Sequence, residues 1–243
     1  MFSHAIAAKT FKVPILFING WSNDVPLKAF LFDLDGTLAD TDPVHLQVFA
    51  ELLAPHGYDV DEEFFRNRIA GGRNRALFQN LFPGMSDEEA DRRGNEKEEL
   101  FRQRASNVAP IPGLSKVLSW AEENGLRFAL VTNARRANVD FLLPLLGLGN
   151  AFEVKVVAED VAKGKPDPAP YALALERLGL SAGEAVVFED SPTGIRSAVG
   201  AGIFTYGLKT THSTEELLEA GANIAIADFL DDGLWKNLLG HFA

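Results

Sequence analysis

The stretch KAFLFDLDGTLADTD, residues 28–42, decides the predicted fold. Residues 29–32 form a continuous apolar run of strand length, which is typical of a strand buried on both faces of a sheet. Asp33 and Asp35 follow at positions i and i+2, so both carboxylates point the same way, and Gly36 permits a sharp turn beyond them. At about 4 Å such carboxylates repel each other by roughly 4 kcal/mol. The pair therefore indicates a site for a divalent cation or a shared proton.

The composition is that of an acidic globular protein. The chain has 243 residues, of which 47% are hydrophobic, enough for one large domain or a domain with an insertion. It contains no Cys, which excludes disulfides and thiol chemistry. A formal net charge of −11 disfavours nucleic acid and anionic membranes as partners, and no apolar run approaches membrane-spanning length. We expect a cytoplasmic protein that is a monomer or a weak dimer.

Residues 1–25 stand apart from the rest of the chain as an N-terminal extension. Two lysines precede an apolar run at residues 13–18, but Pro14 interrupts the run and no small-residue cleavage site follows. The pattern does not indicate a secretion signal. Because no acidic residue precedes Asp24, a weak organellar transit character is an alternative to an extension that adds a strand or stays loosely ordered.

Only helical patterns follow the opening stretch. Apolar residues recur at helical spacing up to residue 53, and further helices are predicted at residues 61–68, 75–82 and 86–104. Glycines and prolines separate them, and the stiff connection NVAPIPG at residues 107–113 ends the segment. We therefore predict a helical cap domain at residues 43–108, inserted into a core domain formed by residues 26–42 and 109–243.

Beyond this connection the pattern alternates between helix and strand. Apolar strands are predicted at residues 127–132, 154–158, 185–188, 203–206 and 224–226, with helical stretches between them. Such alternation is typical of a doubly wound, mostly parallel sheet. The predicted fold class is therefore α/β, with a Rossmann-like sheet and an inserted all-helical cap domain.

Polar residues gather where the predicted strands end, which is where open parallel sheets bind ligands. Thr132 and Asn133 can hold phosphate oxygens beside a helix N-terminus, or form an ordinary cap. Lys165 is followed by a proline that restricts the backbone, which favours a positioned cation over a solvated lysine. Glu189 and Asp190 form a second acidic pair, although Asp190 or Ser191 could also serve as an ordinary N-cap.

Four motifs in this order resemble those of a known family. DLDGT, VTN, GKPDP and FEDSPTGIRSA stand at the ends of predicted strands or between them. With them the chain resembles the haloacid dehalogenase superfamily over residues 27–239. Its helical insertion is similar to the cap of the β-phosphoglucomutase and phosphatase branch. The stretches at residues 131–148 and 165–180 look closest to broad-range sugar-phosphate phosphatases.

The resemblance implies a phosphatase that hydrolyses small phosphorylated metabolites, such as sugar phosphates, through an aspartyl-phosphate. Asp33 would be the nucleophile, and Asp35 the general acid and base. Mg²⁺ would be held by Asp33, the main-chain carbonyl of Asp35 and Asp190, with Glu189 close by. We expect a nearby phosphate dianion to raise the pKa of Asp35.

The same resemblance assigns Thr132, Asn133 and Lys165 to binding of the phosphate. Their hydroxyl, amide and ammonium groups would form a cradle that stabilises the transferring phosphoryl group.

The main alternative is a phosphosugar mutase similar to β-phosphoglucomutase, and a remote one is a non-catalytic protein that binds a phosphometabolite. Asp35 argues against a dehalogenase or phosphonatase, since those members lack the second aspartate. His45 and Lys97 fall where the mutase has functional cap residues, while Arg73 and Arg75 each miss its cap arginine by one place. All four are candidate substrate-binding residues. Alternatively, His45 is a polar position on an amphipathic helix and Lys97 a solvated partner in helix salt bridges.

Overall fold

A parallel sheet of six strands forms the centre of the protein in a computed structural model that describes residues 25–241. The strands are β1 (Ala29–Phe32), β2 (Arg127–Val131), β3 (Val154–Val156), β4 (Ala185–Glu189), β5 (Phe204–Leu208) and β6 (Ile224–Ile226). Their order in the sheet is β3-β2-β1-β4-β5-β6, and every paired strand is parallel to its neighbour. The predicted extension lies outside the described residues except for Val25.

Ten helices accompany the sheet within the described residues. Four follow β1: α1 (Asp42–Leu53), α2 (Glu62–Arg68), α3 (Asn74–Leu81) and α4 (Asp87–Arg104). The others are α5 (Leu114–Glu123), α6 (Arg136–Leu145), α7 (Ala169–Leu178), α8 (Pro192–Gly200), α9 (Thr214–Glu219) and α10 (Asp232–His241). In the part of the chain described here, no helix is long and apolar enough to cross a membrane.

The central strand β1 is apolar throughout because it is buried on both faces of the sheet. All four of its residues are completely buried. Phe30 and Phe32 enter the larger hydrophobic cluster on one face, where each ring lies 5.1 Å from that of Phe188 in β4. Ala29 and Leu31 belong to a second cluster on the other face. Helices therefore cover both faces of the sheet, and its carboxyl edge is left for the polar residues that follow each strand.

Helices α1 to α4 form a helical insertion, residues 42–104, with an apolar cluster of its own. Phe49 of α1 and Phe78 of α3 are buried in this cluster. The two connections to the sheet meet where Ala39 forms an isolated antiparallel bridge with Pro110. The predicted fold class, a doubly wound sheet with an inserted all-helical cap, is confirmed. The predicted boundaries of the cap domain stay a prediction.

The C-terminal helix α10 was not predicted from the sequence. Leu234 and Leu238 are buried in the larger cluster, and Trp235 Nε1 donates a hydrogen bond of 2.8 Å to the carbonyl of Phe229. The Trp235 ring also lies edge-on to Trp120, and Asn237 Nδ2 donates to the Tyr206 hydroxyl at 3.3 Å. Tertiary packing rather than periodicity reveals it.

Candidate active site

The end of β1 places the two aspartates of the first motif at the carboxyl edge of the sheet. The amide of Asp33 still pairs with the carbonyl of Phe188 at 3.1 Å, so the strand fixes its position. Gly36 follows with a φ of 75°, and a Cβ there would lie 2.3 Å from Asp190 Oδ2. Glycine is thus required both by the backbone angle and by the close approach of the second acidic pair.

Lys165 lies at the centre of the site and is almost completely buried. Its Nζ is 2.5 Å from Asp33 Oδ1 and 2.5 Å from Glu189 Oε1, and it donates to the carbonyl of Val131 at 2.7 Å. Burial alone would lower the pKa of Lys165, but the two carboxylates raise it to about 12. The lysine is a positioned cation, as the sequence predicted, and the alternative of a solvated lysine is wrong.

Three buried carboxylates form the acidic cluster, which we define as Asp33, Glu189 and Asp190. One oxygen of each lies within 4.8 Å of the others. Burial, together with repulsion between these groups, holds the pKa of Asp33 and of Asp190 well above the usual range. Lys165 supplies one positive charge against three acids. Because hard oxygen donors and excess negative charge are what a divalent cation such as Mg²⁺ prefers, the residues present fit such an ion.

Glu189 also holds the site together. Its Oε1 accepts a second hydrogen bond from the Tyr171 hydroxyl at 3.2 Å, and its Oε2 accepts from the amide and the hydroxyl of Ser191, each at 3.1 Å. A Cβ on Gly194 would lie 1.7 Å from Oε1, so helix α8 can begin here only with glycine at that position.

Asp190 is held by two threonines. Thr37 Oγ1 lies 3.4 Å from Asp190 Oδ1, and Thr211 Oγ1 lies 3.2 Å from Oδ2. Thr211 Oγ1 also lies 2.5 Å from Asp42 Oδ2, so its single proton is shared between two carboxylates. Sequence reasoning did not find Thr211. Its signal was weak, because a Thr-Thr pair after β5 reads as an ordinary polar turn.

The side chain of Asp35 turns away from the acidic cluster. Its Oδ1 accepts a hydrogen bond of 2.7 Å from the Thr41 hydroxyl and lies 3.4 Å from His45 Nε2. Burial favours a higher pKa for Asp35, yet His45, Thr41 and the charge of Lys97 together lower the pKa below its ordinary value. These neighbours stabilise the ionised form. The expectation that a nearby phosphate dianion raises the pKa of Asp35 stays a prediction.

His45 contacts Asp35, and its assignment to substrate binding stays a prediction. Its ring stacks on Phe101 with centroids 4.1 Å apart and an angle of 10° between the planes. Its Nδ1 is buried with no hydrogen-bond partner among the described residues. His45 thus contacts the Asp35 carboxylate from the first turn of α1, where the insertion begins.

Thr132 and Asn133 lie at the end of β2, as predicted, but they face different partners. Thr132 is buried, and its Oγ1 accepts a hydrogen bond of 2.9 Å from the amide of Ala134. Asn133 Oδ1 accepts one of 3.0 Å from the amide of Lys165, and its Nδ2 donates to Gly71 O at 3.3 Å. Asn133 therefore shapes the loop that carries Lys165 and touches the helical insertion. Phosphate binding by Thr132 and Asn133 stays a prediction.

The three cationic candidates of the insertion have separate surroundings. Lys97 is 4% exposed and lies 3.0 Å from Glu98 Oε1, so the alternative of a solvated helix salt bridge is wrong. Arg73 Nη2 donates to the carbonyl of Ala158 at 3.0 Å, across to the loop after β3. Arg75 is half exposed and is paired with Asp87 and Asp91.

A cavity of about 570 Å³ lies between the strand ends and the helical insertion. Its wall includes Asp33, Asp35, Lys165 and Asp190 on the sheet side. Lys97 is among the residues that line it on the other side. This volume is in the range that encloses a small-molecule ligand. Two members of the acidic cluster, Asp33 and Asp190, therefore open into the same space as Lys165 and Asp35.

The fold and this carboxylate site define an α/β enzyme that works at the carboxyl edge of its sheet. The sequence profile of the haloacid dehalogenase-like hydrolases matches residues 30–208. Protein CbbY of Rhodobacter capsulatus is 37% identical over 188 residues, which cover 73% of this chain and 83% of that protein. A phosphorylated carbohydrates phosphatase of Thermotoga maritima is 32% identical over 204 residues, covering 81% and 92%.

Solved structures agree with these relatives. A crystal structure of CbbY from Rhodobacter sphaeroides in complex with phosphate superimposes with a TM-score of 0.70 at 28% identity, covering 84% of this chain and 95% of that one. The chain belongs to the haloacid dehalogenase-like hydrolase family. The predicted enzyme class, a phosphoric monoester hydrolase, is confirmed with it.

Proposed function

We propose that this chain is a Mg²⁺-dependent phosphatase that hydrolyses small phosphorylated metabolites, in particular sugar phosphates, through an aspartyl-phosphate on Asp33. The observation that carries the proposal is the contact of Lys165 with Asp33, which places a fixed cation against a buried carboxylate inside the cavity. The relative named as a phosphatase of phosphorylated carbohydrates supports the class of substrate.

Asp33 attacks the phosphorus atom of the monoester. A bond forms between its carboxylate oxygen and phosphorus while the bond from phosphorus to the substrate alcohol breaks. Asp35 gives its proton to the departing alkoxide. It then takes a proton from a water molecule, which attacks phosphorus and releases inorganic phosphate, and Asp33 is restored.

Asp35 can serve as an acid only when it is protonated. Thr41 and His45 lower its pKa, whereas an arriving phosphate dianion raises it again, because a like charge favours the neutral form. Because His45 of α1 contacts Asp35, the proton affinity of Asp35 depends on the position of α1.

Lys165 and Thr132 stabilise the transferring phosphoryl group. The Lys165 ammonium is already held at the nucleophile, so little reorganisation is needed when charge develops on the phosphoryl oxygens. The Thr132 hydroxyl, with its oxygen fixed by the amide of Ala134, has its proton free to donate to a phosphate oxygen.

The metal would be held by Asp33, Asp190 and the main-chain carbonyl of Asp35, with Glu189 beside them. When bound, Mg²⁺ supplies positive charge that keeps Asp33 ionised and neutralises the phosphate. Cytoplasmic location and a monomeric or weakly dimeric state stay predictions.

The test is phosphate release from a panel of phosphorylated sugars and polyols. We expect turnover that requires Mg²⁺ and is inhibited by Ca²⁺, whose looser coordination misplaces the attacking group. Asp33→Asn should show no turnover at a metal concentration that saturates the native enzyme. Asp40→Asn, an exposed aspartate on the following loop, is the matched control and should keep full activity. Turnover that resists chelators, or persists in Asp33→Asn, would refute the proposal.

A further inference from the structure

The wall of the cavity contains a buried carboxylate that the proposed mechanism does not use. Glu98 of α4 is 6% exposed and lines the cavity beside Lys97. It belongs to none of the four motifs. Burial of a carboxylate costs free energy, and in a site for anionic substrates the carboxylate also repels the ligand.

Glu98 is held by donors from three helices. Lys97 Nζ lies 3.0 Å from its Oε1, and Asn74 Nδ2 of α3 donates to the same oxygen. Asn138 Nδ2 of α6, on the side of the sheet, donates to Oε2 at 2.5 Å. Asn138 is itself fixed by a hydrogen bond of 2.7 Å from Arg102 Nη1. The Glu98 carboxylate is therefore part of a hydrogen-bond network that joins the insertion to the core domain.

Lys97 and Glu98 neutralise each other in the part of the cavity wall that belongs to the insertion. Burial favours a higher pKa for Glu98, but Lys97, His45 and the two amides together hold its pKa below the usual range, so the group is ionised. The Lys97 ammonium, which also lies 5.4 Å from the ring centroid of Phe49, already has its counter-ion. A second anion that entered here would meet a paired cation and an ionised acid.

We propose that Glu98 restricts the enzyme to phosphate monoesters whose end remote from the phosphate is uncharged and rich in hydroxyl groups. This inference rests on the proposed phosphatase function and names its substrate class. A hydroxyl group can accept a hydrogen bond from Lys97 and donate one to Glu98, whereas a carboxylate or a second phosphate can only accept. Specificity then comes from repulsion of the charged competitor as much as from attraction of the neutral one.

The experiment compares two substrates that differ only at the remote carbon. Sorbitol 6-phosphate ends in a hydroxymethyl group, and gluconate 6-phosphate ends in a carboxylate on the same six-carbon chain. The value of kcat/KM is measured for both with the native enzyme at saturating Mg²⁺. We expect the native enzyme to prefer sorbitol 6-phosphate by roughly a hundredfold, the effect of one unpaired charge at close range.

Three variants separate the charge of Glu98 from other effects. Glu98→Gln keeps the shape of the side chain and should reduce the preference to less than about tenfold, because Lys97 then has a free charge to offer. Glu96→Gln removes an equal charge from an exposed position of the same helix and should leave the preference unchanged. Lys97→Met leaves Glu98 without its counter-ion and should widen the preference.

The measurements distinguish failure of the role of Glu98 from failure of the phosphatase function. Equal kcat/KM for both substrates in the native enzyme, or an unchanged preference in folded Glu98→Gln, overturns the inference while the phosphatase stands. If circular dichroism shows that Glu98→Gln is unfolded, Lys97→Met decides, and a preference that is not widened overturns the inference. If the native enzyme releases phosphate from neither substrate nor from p-nitrophenyl phosphate, the proposed function itself is overturned, and the inference with it.

Discussion

Lys165 and Asp33 form a buried ion pair in which Nζ lies 2.5 Å from Oδ1. The lysine side chain is 3% exposed, and its second carboxylate partner, Glu189, is completely buried. Removal of the lysine therefore leaves two acids buried without their counter-ion.

Lys165→Ala should therefore lose both activity and stability. We expect kcat/KM to fall by roughly a hundredfold, as for the loss of one donor to a developing charge. Without Mg²⁺ the free energy of unfolding should fall by about 3–5 kcal/mol. Saturation with Mg²⁺ should return part of the stability. Urea denaturation with and without the metal measures this.

Lys163→Ala provides the control for this prediction. Lys163 lies two residues earlier in the same loop with its side chain 79% exposed, and its only ion pair among the described residues is a long one to Asp167 at 4.0 Å. Activity and stability should both be unchanged. A folded Lys165→Ala enzyme that matches the Lys163→Ala enzyme in kcat/KM would show that Lys165 takes no part in catalysis.

Thr211 should control how tightly the enzyme holds Mg²⁺. Its hydroxyl orients Asp190 from the loop after β5. Thr211→Val keeps the volume and removes the hydrogen bond, so the Mg²⁺ concentration for half-saturation should rise by about tenfold. Thr211→Ser restores the hydroxyl and should restore the affinity. Titration of the thermal midpoint with Mg²⁺ reports binding without reference to turnover, and equal curves for the valine and serine variants would contradict this role.

The parts of the site that follow predicted strands were accessible from the sequence. Asp33 and Lys165 lie where the apolar runs and the restricting proline indicated, because the end of a parallel strand fixes the residues that follow it. The site residues found in this way share one property: local sequence alone determines where their backbone lies.

Glu98 and Thr211 were not accessible in this way. The segment NEKEEL has the pattern of a solvated helix face, and it is the packing of α4 against α1, α3 and α6 that buries Lys97 and Glu98. The contact between His45 and Asp35 likewise depends on how the first turn of α1 lies against the first motif. These positions depend on contacts between elements distant in sequence, which periodicity does not record.

The stabilisation by Mg²⁺ should depend on pH. Burial raises the pKa of Asp33 and Asp190, so the folded protein keeps protons that the unfolded chain has released. Without metal, the stability contributed by these groups is therefore present at low pH and lost as pH rises through the raised pKa values. The metal offsets this loss. The increase in Tm caused by Mg²⁺ should be larger at about pH 7.5 than at about pH 5.5.

Two comparisons make this prediction specific. Asp35 and Glu98 have lowered pKa values, so their contribution is lost only in more acidic solution than either test condition. Asp190→Asn should respond weakly to Mg²⁺ at both pH values. A Tm increase that is the same at both pH values in the native enzyme would show that the acidic cluster does not bind protons in competition with the metal.

The last prediction separates a phosphatase from a mutase. A mutase must hold a bisphosphate, which requires a strong cation for the remote phosphate and protection of the acyl-phosphate from water. Lys97 is paired with Glu98, and Arg75 is paired with Asp87 and Asp91. Arg73 is engaged with the carbonyl of Ala158. The cationic candidates of the insertion are thus already committed, and a remote phosphate would be held weakly.

We therefore expect β-glucose 1-phosphate, where it is accepted, to yield glucose and inorganic phosphate without any bisphosphate activator. Phosphorus NMR follows the fate of the substrate with and without a trace of glucose 1,6-bisphosphate. The trace should leave the rate of phosphate release unchanged, because water rather than a second sugar hydroxyl meets the aspartyl-phosphate. Accumulation of glucose 6-phosphate faster than free phosphate would identify a mutase, and the paired lysine and arginines would then have to exchange partners when the bisphosphate binds.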